Sequence, residues 1–346
     1  MRLRIYALVM ALTMFLQSTP IVAEPVDRIL MVISSHGADN GKTRPGYEMD
    51  ELSQAYLIFK ANGLEIDLAS PKGGQPVADE FNVTKAYNAA FLADAQAASK
   101  LAKTLPLSEV KGNNYAAVFI VGGKGPMFDF PDDTNLQSVI ATIYEQGGIV
   151  SAVCHGPAAL VNVRRPNGRL LVEARKLTGF TDEEEAVFGE KWVKQFPFKL
   201  ETALREKQAI FGEAHIILPH VEVDDRIITG QNPYSVTLAA EAVVTALGKQ
   251  PAKRDLWVDE RSMALVARAS AGEIAFAEAE LRNHSDRYDV PLIAIWGYYR
   301  SQAAADDKVG LKDGLAIMQL AAPFFPEPQL QKAIDEITAK LRKEGS

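Results

Sequence analysis

The hydrophobic pattern of the first two thirds of the chain predicts strands that alternate with helices. Short apolar runs rich in β-branched residues predict buried strands at residues 28–34, 64–69, 115–121 and 148–153. Helical spacing predicts helices at residues 50–61, 84–103, 135–146, 156–163 and 234–247, and strand-like runs recur at 210–218 and 226–230. Strands that alternate with helices build βαβ units, so this part predicts a mostly parallel sheet in an α/β sandwich.

The pattern changes after Gln250. Residues 251–346 are dominated by Ala, Glu, Lys and Leu, with helices predicted at about 259–283, 289–304, 311–322 and 327–343 and a short strand-like run at 290–295. Trp296, Tyr298 and Tyr299 are expected to pack between these helices. We therefore divide the chain into segment 1–23, an α/β domain 24–249 and a small all-helical appendage 250–346. A stabilising role and a protein-binding role for the appendage both stay open.

The first residues have the pattern of a secretory signal peptide. Arg2 and Arg4 precede an apolar run at 6–16, and the small residue Ala23 precedes Glu24. The run is shorter than the ~20 residues that span a bilayer, so cleavage after Ala23 is favoured over an uncleaved anchor. We predict a secreted protein, with a bacterial periplasm favoured, that has no membrane association after cleavage.

Composition narrows the class of protein. With 346 residues, 47% hydrophobic and 23% charged, the chain is globular and long enough for about two domains. Because it has one cysteine, a disulfide framework is excluded. The net charge of −7 argues against a nucleic-acid partner, which would select a basic surface.

The single cysteine lies at the junction of a predicted strand and a predicted helix, a position typical of a catalytic nucleophile. A predicted buried strand ends at Val153, and Cys154 and His155 lead into a predicted helix that begins at Gly156. This is the sharp strand-to-helix turn of a nucleophile elbow. N–H groups at a helix N-terminus stabilise a thiolate, lower its pKa and can face a developing oxyanion.

A glycine-rich loop follows the preceding strand. Gly122, Gly123 and Lys124 lie at its end, where an N–H of Gly123 or Lys124 is placed to complete an oxyanion hole. The loop is not a phosphate-binding loop, because the required Lys-Ser or Lys-Thr pair is absent from it.

Several motifs, taken in order, resemble the ThiJ/PfpI superfamily and in particular its heat-shock chaperone and glyoxalase III branch. They are Gly-Gly-x-Gly at 122–125, Asp-x-Pro at 129–131, Cys-His-Gly-Pro at 154–157, Thr-Gly-Phe-Thr at 178–181 and Thr-Gly-Gln-Asn-Pro at 229–233. The resemblance covers about residues 26–248. It implies a class I glutamine amidotransferase-like fold: α/β, with a flavodoxin-like, mostly parallel sheet sandwiched by helices and carrying a nucleophile elbow.

The resemblance also implies roles for single residues. Cys154 matches the nucleophile, Glu51 the acid that contacts the thiol, and His155 the base, with Glu185 as the carboxylate that holds the imidazole. Glu48 and Asp50 are the rivals of Glu51, and Asp182 is the next candidate after Glu185. Neither a cofactor nor a metal is implied.

This chain departs from the branch in two places near the site. Lys124 stands where many relatives have histidine, which affects substrate preference if its side chain reaches the substrate. Glu48 and Asp50 make the start of the first helix unusually acidic. Like-charge repulsion from these carboxylates is expected to raise the pKa of the thiol.

The resemblance implies a glyoxalase III-type enzyme that converts methylglyoxal or a related 2-oxoaldehyde to a hydroxy acid through a Cys154 hemithioacetal. A holdase chaperone or redox-stress protein, and a cysteine amide or peptide hydrolase, are the alternatives. The His220-x-Glu222 pair is typical of glutamine amidotransferases, but no ammonia-accepting domain follows it. The expected partner is a small aldehyde; a homodimer and a protein partner at the C-terminal helices stay open.

Overall fold

A computed structural model of the chain describes residues 27–189, 191–304 and 307–343. The predicted signal peptide, residues 1–23, lies outside them and stays a prediction. Among the helices that the structure describes, none is both long and apolar enough to cross a membrane.

The described residues form nine strands and thirteen α-helices. The strands are β1 Arg28–Val32, β2 Glu65–Ser70, β3 Leu105–Pro106, β4 Ala117–Ile120, β5 Ile149–Val153, β6 Lys176–Leu177, β7 Ile210–Phe211, β8 Val221–Asp224 and β9 Ile227–Gly230. The helices are α1 Met49–Ala61, α2 Ala86–Ala93, α3 Ala95–Ala102, α4 Pro126–Asp129, α5 Thr134–Glu145, α6 Asp182–Phe188, α7 Leu200–Glu206, α8 Val236–Ala246, α9 Val258–Ser270, α10 Ile274–His284, α11 Val290–Ala303, α12 Lys308–Ala321 and α13 Pro328–Lys343.

The predicted fold class is confirmed. Seven strands form one sheet in the order β3-β2-β1-β4-β5-β9-β8, and every pairing is parallel except β8 with β9. Strands β4 and β5 are buried at every residue, as expected for central parallel strands that are covered on both faces.

The two faces of the sheet are covered by different helices. Helices α1 and α8 pack into a hydrophobic core on one face, and α5 packs into a second core on the other. The connection from β1 therefore crosses one face and the connection from β4 the other. Such a reversal opens a crevice at the carboxyl ends of the two strands, which is where ligands bind in open α/β sheets.

Several predicted elements were wrong in detail. The helix predicted at 84–103 is two helices, because the Asp94 side chain accepts hydrogen bonds from the N–H groups of Gln96 and Ala97 and starts α3 anew. The helix predicted at 156–163 is a 3-10 helix, Gly156–Leu160. The strand-like run at 210–218 retains only β7, which pairs with β6 outside the main sheet.

The C-terminal helices have a hydrophobic core of their own that also takes in residues of the α/β part. The strand-like run at 290–295 is part of α11, because Pro291 at the first turn and Asp289 as its cap start a helix there. Leu218 belongs to the same core, and α11 packs against α6. The division of the chain at residue 249 stays a prediction, and these contacts bring α11 beside the crevice.

Candidate active site

Cys154 lies directly after β5 in a strained backbone conformation. Its φ of 57° is in the left-handed region, which costs energy for any residue except glycine. Two hydrogen bonds hold it there: the Cys154 N–H donates to the Gly230 carbonyl and the Phe180 N–H donates to the Cys154 carbonyl, each at 2.9 Å. A Cβ at Gly156 would lie 2.5 Å from the Ile120 carbonyl oxygen, so the turn needs glycine there. This is the predicted elbow.

Glu51 faces the thiol from the first turn of α1. Its side chain is fully buried and contacts Cys154, and its Oε2 accepts a hydrogen bond of 2.7 Å from the Gly122 N–H. Burial, with repulsion from Glu48, raises the pKa of Glu51 well above its usual range. This shift favours the protonated carboxyl, which can act as a proton donor.

The thiol is buried as well. Burial is the largest effect on Cys154 and Glu51 adds to it, so its pKa lies well above the ordinary value; the Gly123 N–H acts in the opposite direction. The sequence predicted a raised thiol pKa from repulsion by Glu48 and Asp50, whereas burial and Glu51 are the main causes of the rise. The helix N-terminus that was expected to lower this pKa is only a short 3-10 turn. Both shifts favour the protonated forms, so thiolate chemistry at Cys154 would need a base beside the thiol.

His155, the candidate base, contacts the sulfur. Its Nδ1 lies 3.4 Å from the Cys154 Sγ, and its Nε2 lies 2.6 Å from the Glu185 Oε1. Both side chains are almost fully buried. A capping box of Thr181 and Glu184 starts α6 and thereby directs Glu185 at the imidazole. The rival Asp182 instead accepts a hydrogen bond of 2.6 Å from Thr202.

The glycine-rich loop lies against both acid and thiol. A Cβ at Gly122 would lie 2.7 Å from the Cys154 Cβ and 2.8 Å from the Glu51 Oε2, and Gly123 has a φ of 92°. The Gly123 N–H reaches the thiol, as an oxyanion hole would require, and the Lys124 side chain lines the cavity. All three loop residues are therefore at the position that the sequence predicted.

The two rivals of Glu51 have other partners. Glu48 caps α1 and lines the cavity, and burial together with Asp50 and Asp79 raises its pKa to about 7. The Asp50 carboxylate accepts hydrogen bonds from Lys85 at 2.6 Å and from Tyr87 at 3.0 Å.

The cavity around Cys154 has a volume of about 300 Å³. Sequence reasoning missed its outer side, which is formed by Leu292, Ile295, Trp296 and Tyr299 of α11; we call these four residues the α11 wall. Trp296 and Tyr299 were expected only to pack between helices. The aromatic residues were visible in the sequence, but nothing local there places α11 beside α6.

The His220–Glu222 pair is formed elsewhere. The His220 Nε2 lies 3.1 Å from the Glu222 Oε1, but neither residue lines the cavity that holds Cys154. Within the described ranges, no group of three or more His, Cys, Asp or Glu side chains is arranged to hold a metal ion.

Comparisons with known proteins find one family and relatives that are named glyoxalases. The model of the DJ-1/PfpI family matches residues 43–246. Glyoxalase 3 of Candida albicans is 32% identical over 63% of this chain and 98% of its own length. A glutathione-independent glyoxalase of Saccharomyces cerevisiae is 30% identical over 64% of this chain and 98% of its own.

Solved structures agree with the sequence relatives. The Rapid Encystment Protein of Francisella tularensis superposes with a TM-score of 0.59 at 34% identity, covering 64% of this chain and 98% of that one. Glyoxalase III of Candida albicans gives a TM-score of 0.59 at 29% identity with the same coverage. The family match ends at residue 246, before α9 begins, so the α11 wall lies outside it.

Proposed function

The chain belongs to the DJ-1/PfpI family, and from this premise we propose that it is a cysteine-dependent enzyme of the glutathione-independent glyoxalase kind. The substrate is a 2-oxoaldehyde and the product a 2-hydroxy acid. The observation that carries the proposal is the buried contact of the Cys154 thiol with Glu51 and His155. Relatives that are about 30% identical and are named glyoxalases support the same reaction class.

In the proposed reaction, the Cys154 sulfur forms a bond to the aldehyde carbon. The thiol proton goes to His155, and Glu51 gives its proton to the former carbonyl oxygen, which produces a hemithioacetal. Glu51 then removes the proton on that carbon while His155 protonates the neighbouring ketone oxygen, which gives an enediol.

The next steps return the protons. Glu51 protonates the second carbon and His155 takes the hydroxyl proton of the first, leaving a thioester of the 2-hydroxy acid. Water breaks the carbon–sulfur bond, its proton returns to Glu51, and His155 protonates the departing thiolate. The net change is the addition of one water to the 2-oxoaldehyde, and the enzyme ends in its starting protonation state.

The first prediction concerns the thiol–acid pair. Cys154→Ala removes the bond-forming atom and Glu51→Gln removes the transferable proton, so each is expected to lower kcat/KM for methylglyoxal by about a hundredfold or more. Lactate formation by the full-length protein is the measurement. Glu222→Gln is the matched control, because it makes the same change as Glu51→Gln at a glutamate outside the cavity.

The proposal fails under either of two results. A wild type that yields no hydroxy acid from methylglyoxal or from a bulkier 2-oxoaldehyde, beside an active glyoxalase, contradicts the reaction class. Full activity in Cys154→Ala contradicts the mechanism.

A second candidate is a cysteine amide hydrolase. The linked Cys154, His155 and Glu185 side chains, with 2.6 Å between His155 and Glu185, are the arrangement that acyl transfer uses. An acyl group trapped on Cys154 from an amide substrate, with no turnover of 2-oxoaldehydes, would favour this candidate.

A further inference from the structure

Aromatic side chains connect the reacting residues to the α11 wall. The His155 ring lies 4.5 Å from the Phe180 ring, the Phe180 ring 6.5 Å from the Phe188 ring, and the Phe188 ring 4.8 Å edge-on from the Tyr299 ring. All four residues line the cavity. A substrate bound at Cys154 therefore meets an apolar, largely aromatic surface on the side of the C-terminal helices.

The wall also fixes a strained part of the cavity. Ile217 lines it with a φ of 59°, a conformation that β-branched residues rarely adopt. The Trp296 indole N–H donates a hydrogen bond of 2.8 Å to the Ile216 carbonyl, and Glu184 accepts one of 2.8 Å from the Ile217 N–H. These two bonds hold the Ile217 side chain toward the cavity from opposite sides.

The charges around the cavity disfavour an anionic substrate. Besides the proton donor Glu51, four carboxyl side chains line the cavity against two lysines. One of the two, Lys85, lies 2.6 Å from Asp50 and 3.4 Å from Asp259, so its charge is compensated within the protein. Lys124 is the other, and Glu48 and Asp79 line the same cavity.

The cavity has room for more than a three-carbon aldehyde. Its volume of about 300 Å³ is at the lower end of the range of ~300–1,000 Å³ that is typical of sites for drug-sized ligands. A methyl group attached to the 2-oxo carbon offers little apolar surface to the α11 wall, whereas a phenyl group offers a ring that can pack against its aromatic side chains.

We propose that the α11 wall makes this site selective for neutral 2-oxoaldehydes that carry an aromatic or bulky apolar substituent, the simplest being phenylglyoxal. The inference rests on the proposed function, because it assigns the substrate class of the same site. It gives the C-terminal helices a role as the specificity-determining side of the cavity.

Turnover tests the selectivity. The wild-type protein is expected to convert phenylglyoxal to mandelate with a kcat/KM about tenfold or more above that for methylglyoxal, since the larger apolar surface is buried. Tyr299→Ala and Leu292→Ala are expected to reduce this ratio severalfold, because they lower kcat/KM for phenylglyoxal more than kcat/KM for methylglyoxal. Tyr298→Ala is the matched control: it removes the next aromatic residue of α11, which is 43% exposed and lies outside the cavity lining.

A binding measurement without turnover tests this inference independently of the proposed function. Acetophenone carries the phenyl ketone without the aldehyde, and acetone is its small counterpart. Saturation-transfer NMR is expected to detect acetophenone on the wild type and on Tyr298→Ala, with a strong loss on Tyr299→Ala, and no comparable signal for acetone.

Three outcomes decide between the two proposals. Equal kcat/KM values for both aldehydes, or a preference for methylglyoxal, overturn the selectivity and leave the glyoxalase proposal intact. Turnover of neither aldehyde overturns the glyoxalase proposal and, with it, the assigned substrate class. Acetophenone binding that does not change in Tyr299→Ala overturns the role of the α11 wall whatever the turnover result.

Discussion

The side of the cavity that carries Cys154 comes from loops at the ends of strands, whereas the opposite side comes from one face of α11. On the strand side, strained or glycine-dependent backbone places single atoms within hydrogen-bonding distance of each other. On the helix side, large side chains present an apolar surface with few polar atoms. The strand side is suited to proton transfer, and the helix side is suited to discriminating substrates by size and polarity.

The largest effect on activity is expected at Gly122, where the glycine-rich loop lies against the thiol and the acid. In Gly122→Ala, the new Cβ meets the Cys154 Cβ and the Glu51 Oε2 at 2.7 and 2.8 Å, so the loop or these two side chains must shift. We expect kcat/KM for any accepted 2-oxoaldehyde to fall by about a hundredfold or more, because small misplacement of reacting groups is costly.

The control for this variant is Gly63→Ala. Gly63 has a φ of 70° and open space around its Cα, so alanine there strains the backbone away from the cavity. We expect it to lose about 1 kcal/mol of stability and to keep its kcat/KM. Gly122→Ala activity within twofold of the wild type would show that the close approach is not needed for the reaction.

The same contrast explains what could be predicted from the sequence. The strand side is encoded in short motifs: Gly122–Gly123 ends one strand, Cys154–His155 ends the next, and parallel strands bring their ends together. Periodicity and turn residues were therefore enough to predict the sheet, the elbow and the positions of the loop residues.

The helix side could not be predicted in this way. Trp296 meets the Ile216 carbonyl across 80 positions of the chain, and no local pattern specifies that contact. The same holds for the short elements: whether residues 156–163 form an α-helix or a 3-10 turn depends on packing against neighbours rather than on propensity. The acid opposite the thiol, Glu51, was assigned through the family resemblance, whereas its raised pKa follows from burial that the sequence does not display.

A moderate effect on stability and on KM is expected when a hydrogen bond between α11 and the cavity loop is removed. Trp296→Phe keeps an aromatic ring but leaves the Ile216 carbonyl without its 2.8 Å hydrogen bond, and Trp296 is 2% exposed. We expect a loss of about 1–2 kcal/mol in the free energy of urea unfolding. Because Ile217 then relaxes from its strained conformation, KM for a bulky 2-oxoaldehyde is expected to rise severalfold while kcat changes little.

Trp257→Phe provides the comparison for this variant, because it removes the indole N–H of another tryptophan in the C-terminal part. The Trp257 ring packs edge-on against the Tyr87 ring at 5.3 Å. It is expected to leave KM unchanged. An equal rise of KM in both variants would mean that the effect comes from general loosening of the helices and not from the loop at Ile217.

An effect on stability rather than on turnover distinguishes the two sides by their response to pH. Burial, with Asp50 and Asp79 nearby, raises the pKa of Glu48 from 4.5 to about 7 in the folded protein. Between these values the folded state keeps a proton that the unfolded state has lost, so the stability of the wild type decreases as pH rises from about 4.5 to about 7 and this contribution is constant above that. The amide introduced by Glu48→Gln cannot ionise, so in that variant this part of the decrease is absent.

Urea unfolding at pH 5 and pH 8 measures the difference. We expect Glu48→Gln to gain stability relative to the wild type at pH 8 and little or nothing at pH 5. Trp296→Phe, which alters no ionisable group, is expected to be destabilised equally at both values. If Glu48→Gln and the wild type lost the same stability between pH 5 and pH 8, burial would not raise the pKa of Glu48 in the folded protein. The contrast between a strand side that favours protonated carboxyl groups and an apolar helix side would then fail.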